Sequence, residues 1–275
     1  MNVIAPPAAA PDLTAIKTKQ HATWSSGDYS SVGTTLQIVG ENLAEAMDLR
    51  PDSRVLDVAA GNGNATLAAA RRYCNVVSTD YVTSWLKAGM ARAEAERLTV
   101  AFREADAEDL PFEAGSFDAV MSTFGVMFTA NQEDAAAELM RVVRKGGRIG
   151  LANWTATSFI ADVFRTIGKH VPPPAGVRSP LEWGSEERLK ELFGDSAEHI
   201  DFTHRTFTFR FRSPEFWVEH WRAVYGPMTK AFEAVGPDGA AALEVDLVAL
   251  ARAASSDEIA MIVPAEYGEI VIRRA

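Results

Sequence analysis

Cysteine is all but missing: Cys74 is the one thiol in a chain of 275 residues. It has no intrachain partner, so nothing in the fold requires an oxidising compartment. Histidine is scarce as well, with five in all. His199 and His204 lie on a stretch that reads as a strand, five positions apart, which turns their side chains to opposite faces. With no cysteine near either, no metal site is expected. Basic residues are outnumbered, 27 Lys and Arg against 37 Asp and Glu, for a formal charge of −10. Affinity for DNA or RNA comes largely from Lys and Arg neutralising phosphates, so nucleic acid is not an expected partner. No apolar run approaches the ~20 residues of a membrane span. Met1 to Pro11 is rich in alanine and proline but lacks the basic start and continuous apolar stretch of a secretory signal, and reads as a loose leader. A cytoplasmic location is the simplest expectation.

What the chain does have is a composition that is 47% hydrophobic, enough for a sizeable core, and one dense motif. Val55-Leu-Asp-Val-Ala-Ala-Gly-Asn-Gly-Asn64 is a short apolar run closed by an acid and a glycine turn, and a helical pattern follows it from Ala65 to Arg72. A buried strand, glycines that admit close backbone approach and a helix N-terminus facing the ligand are what a nucleoside cofactor needs. The next apolar run, Asn75 to Asp80, also ends on an acid. A dinucleotide fingerprint would carry a third glycine where Thr66 stands, and Asp57 would meet a pyrophosphate with like charge. The loop therefore suits a cationic amino-acid tail better.

The surrounding pattern alternates. Helices are predicted over residues 34–47, 65–73, 82–98 and 132–144, and strands over 54–58, 76–79, 100–103, 119–122 and 148–153. Alternation at this spacing implies parallel strands joined by right-handed helical crossovers, with the ligand at the carboxyl ends of the strands where their order reverses. Beyond residue 155, Pro172 to Pro174 break helical structure. A helix is predicted over 186–193 and a strand over 199–211, from alternating Phe207, Phe209 and Phe211. Helices over 214–235 and 239–254 and a closing edge strand over 268–273 complete the reading.

Asp57-x-Ala59-x-Gly61-x-Gly63 resembles the first motif of Rossmann-like (class I) S-adenosylmethionine-dependent methyltransferases, particularly the group that includes the ubiquinone and menaquinone biosynthesis enzymes. Ala59 stands where the commonest form has glycine. The likeness continues through Asp80-Tyr81, Glu104-Ala-Asp106-Ala-Glu108-Asp-Leu-Pro-Phe112, Ser116-Phe-Asp118-Ala-Val and the Gly146-Gly147 turn, covering roughly residues 50–154.

The resemblance implies an α/β fold: a doubly wound, mostly parallel seven-stranded sheet with a reversed last hairpin and a helical substrate cover. It implies a leader and lid over 1–33, a cofactor-binding core over 34–154, and a cover with the last strands over 155–275. The implied reaction moves a methyl group from S-adenosylmethionine to an O, N or C atom of a small-molecule acceptor. The same cradle would serve another use of the cofactor, such as cyclisation, or a non-catalytic binding protein.

By the family pattern, Asp57 and the backbone of Ala59, Gly61 and Gly63 face the methionine portion and Asp80 takes the ribose hydroxyls. Tyr81 packs on the adenine, Asp106 and Ala107 read its edge, and Ser122, Thr123 and Phe124 border the sulfonium. Asp106 also reads as a helix cap, and Asp118, at the start of its strand, as structural. Trp24 and Tyr29 are candidates either for a lid or for pinning the leader. Trp154 ends the last core strand, and His170, near the proline run, is a candidate general base. Phe216, Trp217 and Trp221 form an aromatic stripe, with Trp217 expected in the core and Trp221 in an acceptor pocket.

Overall fold

A computed structural model describes residues 12–174 and 176–275; the leader expected over residues 1–11 lies outside them. Its centre is one seven-stranded sheet. The strands are β1 Arg54–Val58, β2 Asn75–Asp80, β3 Val100–Glu104, β4 Phe117–Thr123, β5 Val143–Trp154, β6 Ala197–Phe211 and β7 Met261–Arg274, in the spatial order β3-β2-β1-β4-β5-β7-β6. The first five are mutually parallel, and β7 runs antiparallel to both β5 and β6. Val55, Leu56, Asp57 and Val58 of β1 are all buried, as expected of a parallel strand covered on both faces.

Helices cover the two faces. α1 (Leu13–Trp24) and α2 (Tyr29–Gly33) precede α3 (Gln37–Ala46), which packs beside α4 (Asn64–Arg71); α5 is Thr83–Ala95 and α6 Gln132–Val142. Residues 64–70 of α4 are all buried, which its run of alanines permits by letting the helix lie close to the sheet. After the core come α7 (Phe159–His170), α8 (Glu186–Phe193), α9 (Pro214–Val224) and α10 (Gly226–Ala254). Among the described residues no helix is long and apolar enough to cross a membrane.

The doubly wound sheet with its reversed last hairpin is thus as expected, with three local differences. The strand expected to close the sheet at an edge is interior: β7 pairs on both sides, and Val263, Ala265, Tyr267, Ile270 and Ile272 are buried along it. The edge belongs to β6, whose outward residues include Glu198, Asp201, Arg205 and Arg210, charges that discourage further pairing. The helix expected over 214–235 ends at Val224, because Tyr225 is extended (φ −97°, ψ 104°) ahead of Pro227, and α10 breaks again at Gly236 before Pro237. α1 was not in the sequence reading; Asp12 caps it, its carboxylate accepting from Ala15 N at 3.0 Å.

Candidate functional site

β1 and β4 lie side by side at the centre of the sheet, and their connections leave in opposite directions, so their carboxyl ends flank the reversal of strand order. Two strained turns meet there. After β1, Ala59 adopts φ +51°; after β4, Phe124 adopts φ +54°. Non-glycine residues in this left-handed region persist where surrounding structure holds them, often at functional sites. Ser122 Oγ supplies one tie, donating to Val58 O at 2.7 Å while accepting from Val126 N at 3.1 Å. Gly125 lies so close to the other turn that a Cβ there would stand 2.3 Å from the Ala59 carbonyl oxygen.

The glycine loop is fixed from below and from the side. Asp57, 1% exposed, accepts on Oδ2 from Thr66 N (2.7 Å) and Thr66 Oγ1 (2.6 Å), clamping the first turn of α4 to β1. Its other oxygen is buried with no partner among the described residues. Gly61 N donates to Asp80 Oδ2 at 2.9 Å, and Val82 N to Asp80 Oδ1 at 2.8 Å. Gly63, at φ +86°, then turns the chain into α4. Burial pushes the Asp57 carboxyl up to about 7 against the pull of Thr66, and pushes Asp80 up to about 6 against the Val82 and Gly61 donors.

These turns form one side of a cavity holding about 870 Å³ of space open to solvent. Ala59, Gly61, Asp80, Tyr81, Asp106, Ala107, Thr123 and Phe124 line it, so the structure brings most of the expected cofactor residues together. Trp24 and Tyr29 line it too. Asp57, Gly63 and Ser122 do not; they support the residues that do. α1 contributes Lys17 and Gln20 to the rim. Lys17 Nζ lies 2.6 Å from Asp106 Oδ2 and 2.7 Å from Glu108 Oε2, so α1 is latched across the mouth by its own charge. The Trp24 carbonyl accepts from Trp85 Nε1 at 3.1 Å, fastening the other end of the helix.

A second, much smaller chamber lies on the far side of Phe124, a cavity of about 20 Å³. Phe124 and Trp154 stack with ring centres 3.9 Å apart. Trp154 and Trp221 both line this chamber, together with Phe209, Ile160 and Tyr225. Trp217 packs on Phe159 and Trp221 and lines neither space. His170 lines neither as well: its Nε2 is 2.8 Å from Asp246 Oδ2 across the α7–α10 contact. Asp118 accepts from Arg54 N at 2.8 Å and Arg144 Nε at 2.6 Å, tying the far end of the sheet. Lys17, Phe128 and Tyr225 were not singled out from the sequence. No local pattern marks them, because each reaches the site only through long-range packing.

A family model described as a methyltransferase domain matches residues 56–151. The uncharacterized protein Rv1403c of Mycobacterium tuberculosis is 37% identical over 240 residues, covering 86% of this chain and 88% of its own. The demethylmenaquinone methyltransferase of Deinococcus radiodurans is 36% identical over 137 residues, 48% of this chain and 56% of that one. The chain belongs to the class I S-adenosylmethionine-dependent methyltransferases. S-adenosylmethionine is the cofactor of this methyltransferase, and its fold is shared with the YcgJ protein of Bacillus subtilis (TM-score 0.58, 17% identity, 88% of this chain and 99% of that chain). The strained turns at Ala59 and Phe124 are thus those of a methyltransferase sheet, and the larger cavity lies beside them.

Proposed function

We propose that the larger cavity is the donor site of this methyltransferase and that it transfers the methyl group to an O, N or C atom of a small molecule entering past Phe124. The observation that carries this reading is the meeting of the two strained turns at Gly125, with the buried Asp80 carboxylate on the same cavity wall. The donor set suits the cofactor. The backbone of Ala59 to Gly61 bounds the space for the methionine portion. Asp80 keeps lone pairs free beyond its two backbone bonds, so its ionised carboxylate accepts from ribose hydroxyls. Tyr81 offers a ring face to the adenine, and Asp106 and Ala107 offer an acceptor and backbone groups to its edge. Thr123 and Phe124 bound the sulfonium end, while Asp57, Gly63 and Ser122 hold these walls in place.

When bound, S-adenosylmethionine supplies a methyl carbon already activated by its sulfonium charge. The protein's part is then to orient the reactants and exclude water, with no nucleophile of its own. Phe124, Trp154 and Tyr225 supply a dry wall on that side. In this division residues 34–154 bind the donor, residues 12–33 strap over it, and 155–275 cover the acceptor and complete the sheet. A net charge of −10 favours a small molecule over nucleic acid. The likeness to the demethylmenaquinone enzyme extends over about half of each chain, so the acceptor is argued from the cavity itself. Incubation of the protein with labelled donor and a panel of phenols, quinols and amines tests the reading. Labelled product and S-adenosylhomocysteine are expected in equal amounts. A folded protein that binds neither the donor nor S-adenosylhomocysteine would defeat it, and an acceptor converted without S-adenosylhomocysteine would point to another use of the cofactor.

A further inference from the structure

We propose that Arg92 is a donor-positioning residue: from behind the glycine loop its charge favours the carboxylate at the amino-acid end of S-adenosylmethionine, and its guanidinium fork fixes the loop that receives that end. This rests on the donor site argued above. The wall of the larger cavity carries three acids, Asp80, Asp106 and Glu108, and one cation, Lys17, whose Nζ already lies within 2.7 Å of the last two. A zwitterionic tail beside Ala59 to Asn62 therefore meets no unpaired cation on that wall among the described residues. Arg92 stands one layer behind it and does not line the cavity. α5 comes close to the loop because Gly89 has no side chain: a Cβ there would stand 3.0 Å from Phe102 Cε1 and 3.6 Å from the Asn62 carbonyl oxygen. Arg92 follows one turn later on the same face of α5.

Arg92 Nη1 donates to Asn62 O at 2.8 Å and to Asn64 Oδ1 at 2.9 Å, and Nη2 donates to Gln37 Oε1 at 3.1 Å. All three acceptors are neutral. The side chain is half-buried, and among the described residues no carboxylate forms an ion pair with it; Glu96, one turn on, is taken by Arg71. Burial and the nearby Arg71 hold its pKa below the usual guanidinium range, with Glu96 opposing, yet a guanidinium stays charged in a protein. The bond to Asn64 also leaves Asn64 Nδ2 aimed at Gly33 O, 2.6 Å away, so the fork ties the loop to the end of α2. The loop itself has the geometry of an anion cradle. Ala59, Gly61 and Gly63 have positive φ and the residues between them do not, and such alternation of hand gathers successive N–H groups into a concavity. Ala60 N donates to Thr79 O, Gly61 N to Asp80 Oδ2 and Gly63 N to Ala60 O. Asn62 N makes no hydrogen bond with the described residues, although Asn62 is 1% exposed and lines the cavity. Buried N–H groups without a partner are rare, and a carboxylate supplies the acceptor. Because Asp80 already places one negative charge on the neighbouring amide, a second there needs a compensating cation. Arg92, bonded to the carbonyl of the same Asn62, provides it.

The test is a thermodynamic cycle between this side chain and the ligand's carboxylate, read by isothermal titration on the full chain. The ligands are S-adenosylhomocysteine and its decarboxylated analogue, which differs only in lacking the carboxylate. The wild type should bind the first more tightly by about tenfold or more. In Arg92→Met, which removes the charge and keeps an unbranched stem, the two should bind within about threefold of each other. A role confined to folding would weaken both ligands alike and leave their ratio intact. Arg92→Lys keeps the charge without the fork and should recover most of the ratio. Arg92→Gln, neutral but still carrying an amide donor, replaces Arg92→Met if that variant proves unstable, with the same loss expected. An unchanged ratio in the neutral variant, equal binding of the two ligands by the wild type, or an Arg92→Lys that loses the ratio as fully as Arg92→Met would overturn the proposal. A folded wild type that binds neither ligand would instead overturn the donor site on which it rests.

Discussion

Adding one methyl group at Gly125 tests whether the two strained turns form a single rigid unit. In Gly125→Ala the new Cβ would lie 2.3 Å from Ala59 O, 2.7 Å from Ala59 Cβ and 3.0 Å from Ser122 Oγ. Carbon and oxygen ordinarily approach to about 3.3 Å without repulsion, and two carbons to about 3.5–4.0 Å, so the turns must part by roughly 1 Å. Neither can yield freely. Ala60 N donates to Thr79 O at 2.9 Å, Phe124 N to Ala152 O at 2.8 Å, and Ser122 Oγ to Val58 O at 2.7 Å. Overpacking of this kind costs about 1–3 kcal/mol, and at roughly 2–4 °C per kcal/mol the melting temperature should fall by about 2–12 °C. The displaced Ala59 also narrows the donor cavity, so S-adenosylhomocysteine affinity should drop by about tenfold or more. Gly194→Ala is the control: its backbone is helical and nothing lies within 4 Å, so melting and affinity should match or slightly exceed wild type. Differential scanning calorimetry beside isothermal titration reads both quantities. Wild-type melting and affinity in Gly125→Ala would show that the two turns are not in rigid contact and would refute the reasoning.

Other perturbations probe the rest of the site. Asp80→Ala should weaken S-adenosylhomocysteine binding by roughly 2–4 kcal/mol in a folded protein; an unchanged affinity removes Asp80 from the donor site. Because burial raises the Asp80 carboxyl to about 6 from its unfolded value of 3.8, its contribution to stability is present below 3.8 and lost as pH rises through 6. Donor affinity should move oppositely, tightening above about 6, and Asp80→Asn should gain in melting temperature relative to wild type over the same interval; a constant difference contradicts the shift. Gly61→Val places a branched side chain at φ +56°, with the new Cβ 3.4 Å from Tyr29 Cε1; donor binding should be abolished, and normal calorimetric affinity would sink the loop geometry. Trp221→Ala should raise the acceptor KM more than it changes donor affinity; as a 2% exposed residue it should also cost about 3–5 kcal/mol of stability, and normal melting with normal kinetics would exclude both roles.

The parts of this fold that could be read from sequence are those written locally. A five-residue apolar strand, an acid and a glycine turn lie within ten positions, so β1 and its loop were legible to the residue, and α8 was too. The position of β7 was not, because strand order depends on pairings that sequence does not number: the same alternation suits an interior strand and an edge. The Lys17–Asp106 pair spans 89 positions, and nothing near Lys17 distinguishes it from any exposed lysine. Asp57 shows a subtler limit. A motif places an acid at the end of a strand, but whether that acid faces the cavity or braces the turn beneath it depends on the rotation of the strand end. Here Thr66 takes its carboxylate. The fate of the helical stripe divided for the same reason, Trp217 packing in the core and Trp221 facing the chamber on neighbouring turns of α9.

The interior position of β7 sets an order of events during synthesis. A ribosome releases β5 and then β6 well before Met261–Arg274, yet β6 touches the sheet only through β7. At about 5–20 residues per second, the 49 residues between Arg212 and Ala260 take roughly 2–10 s to emerge. Through that interval the nascent protein carries an unpaired β5 edge and a β6 with nothing to join, two open ladders of the kind that invite pairing with other chains. The parallel half of the sheet can assemble in this time, since its five strands are already made. Phe209, which rides on β6, reaches its place only when β7 is inserted. The nascent chain therefore completes the parallel half of its sheet first and the position of Phe209 last, and any slowing of translation between those two segments should raise aggregation without altering the sequence at all.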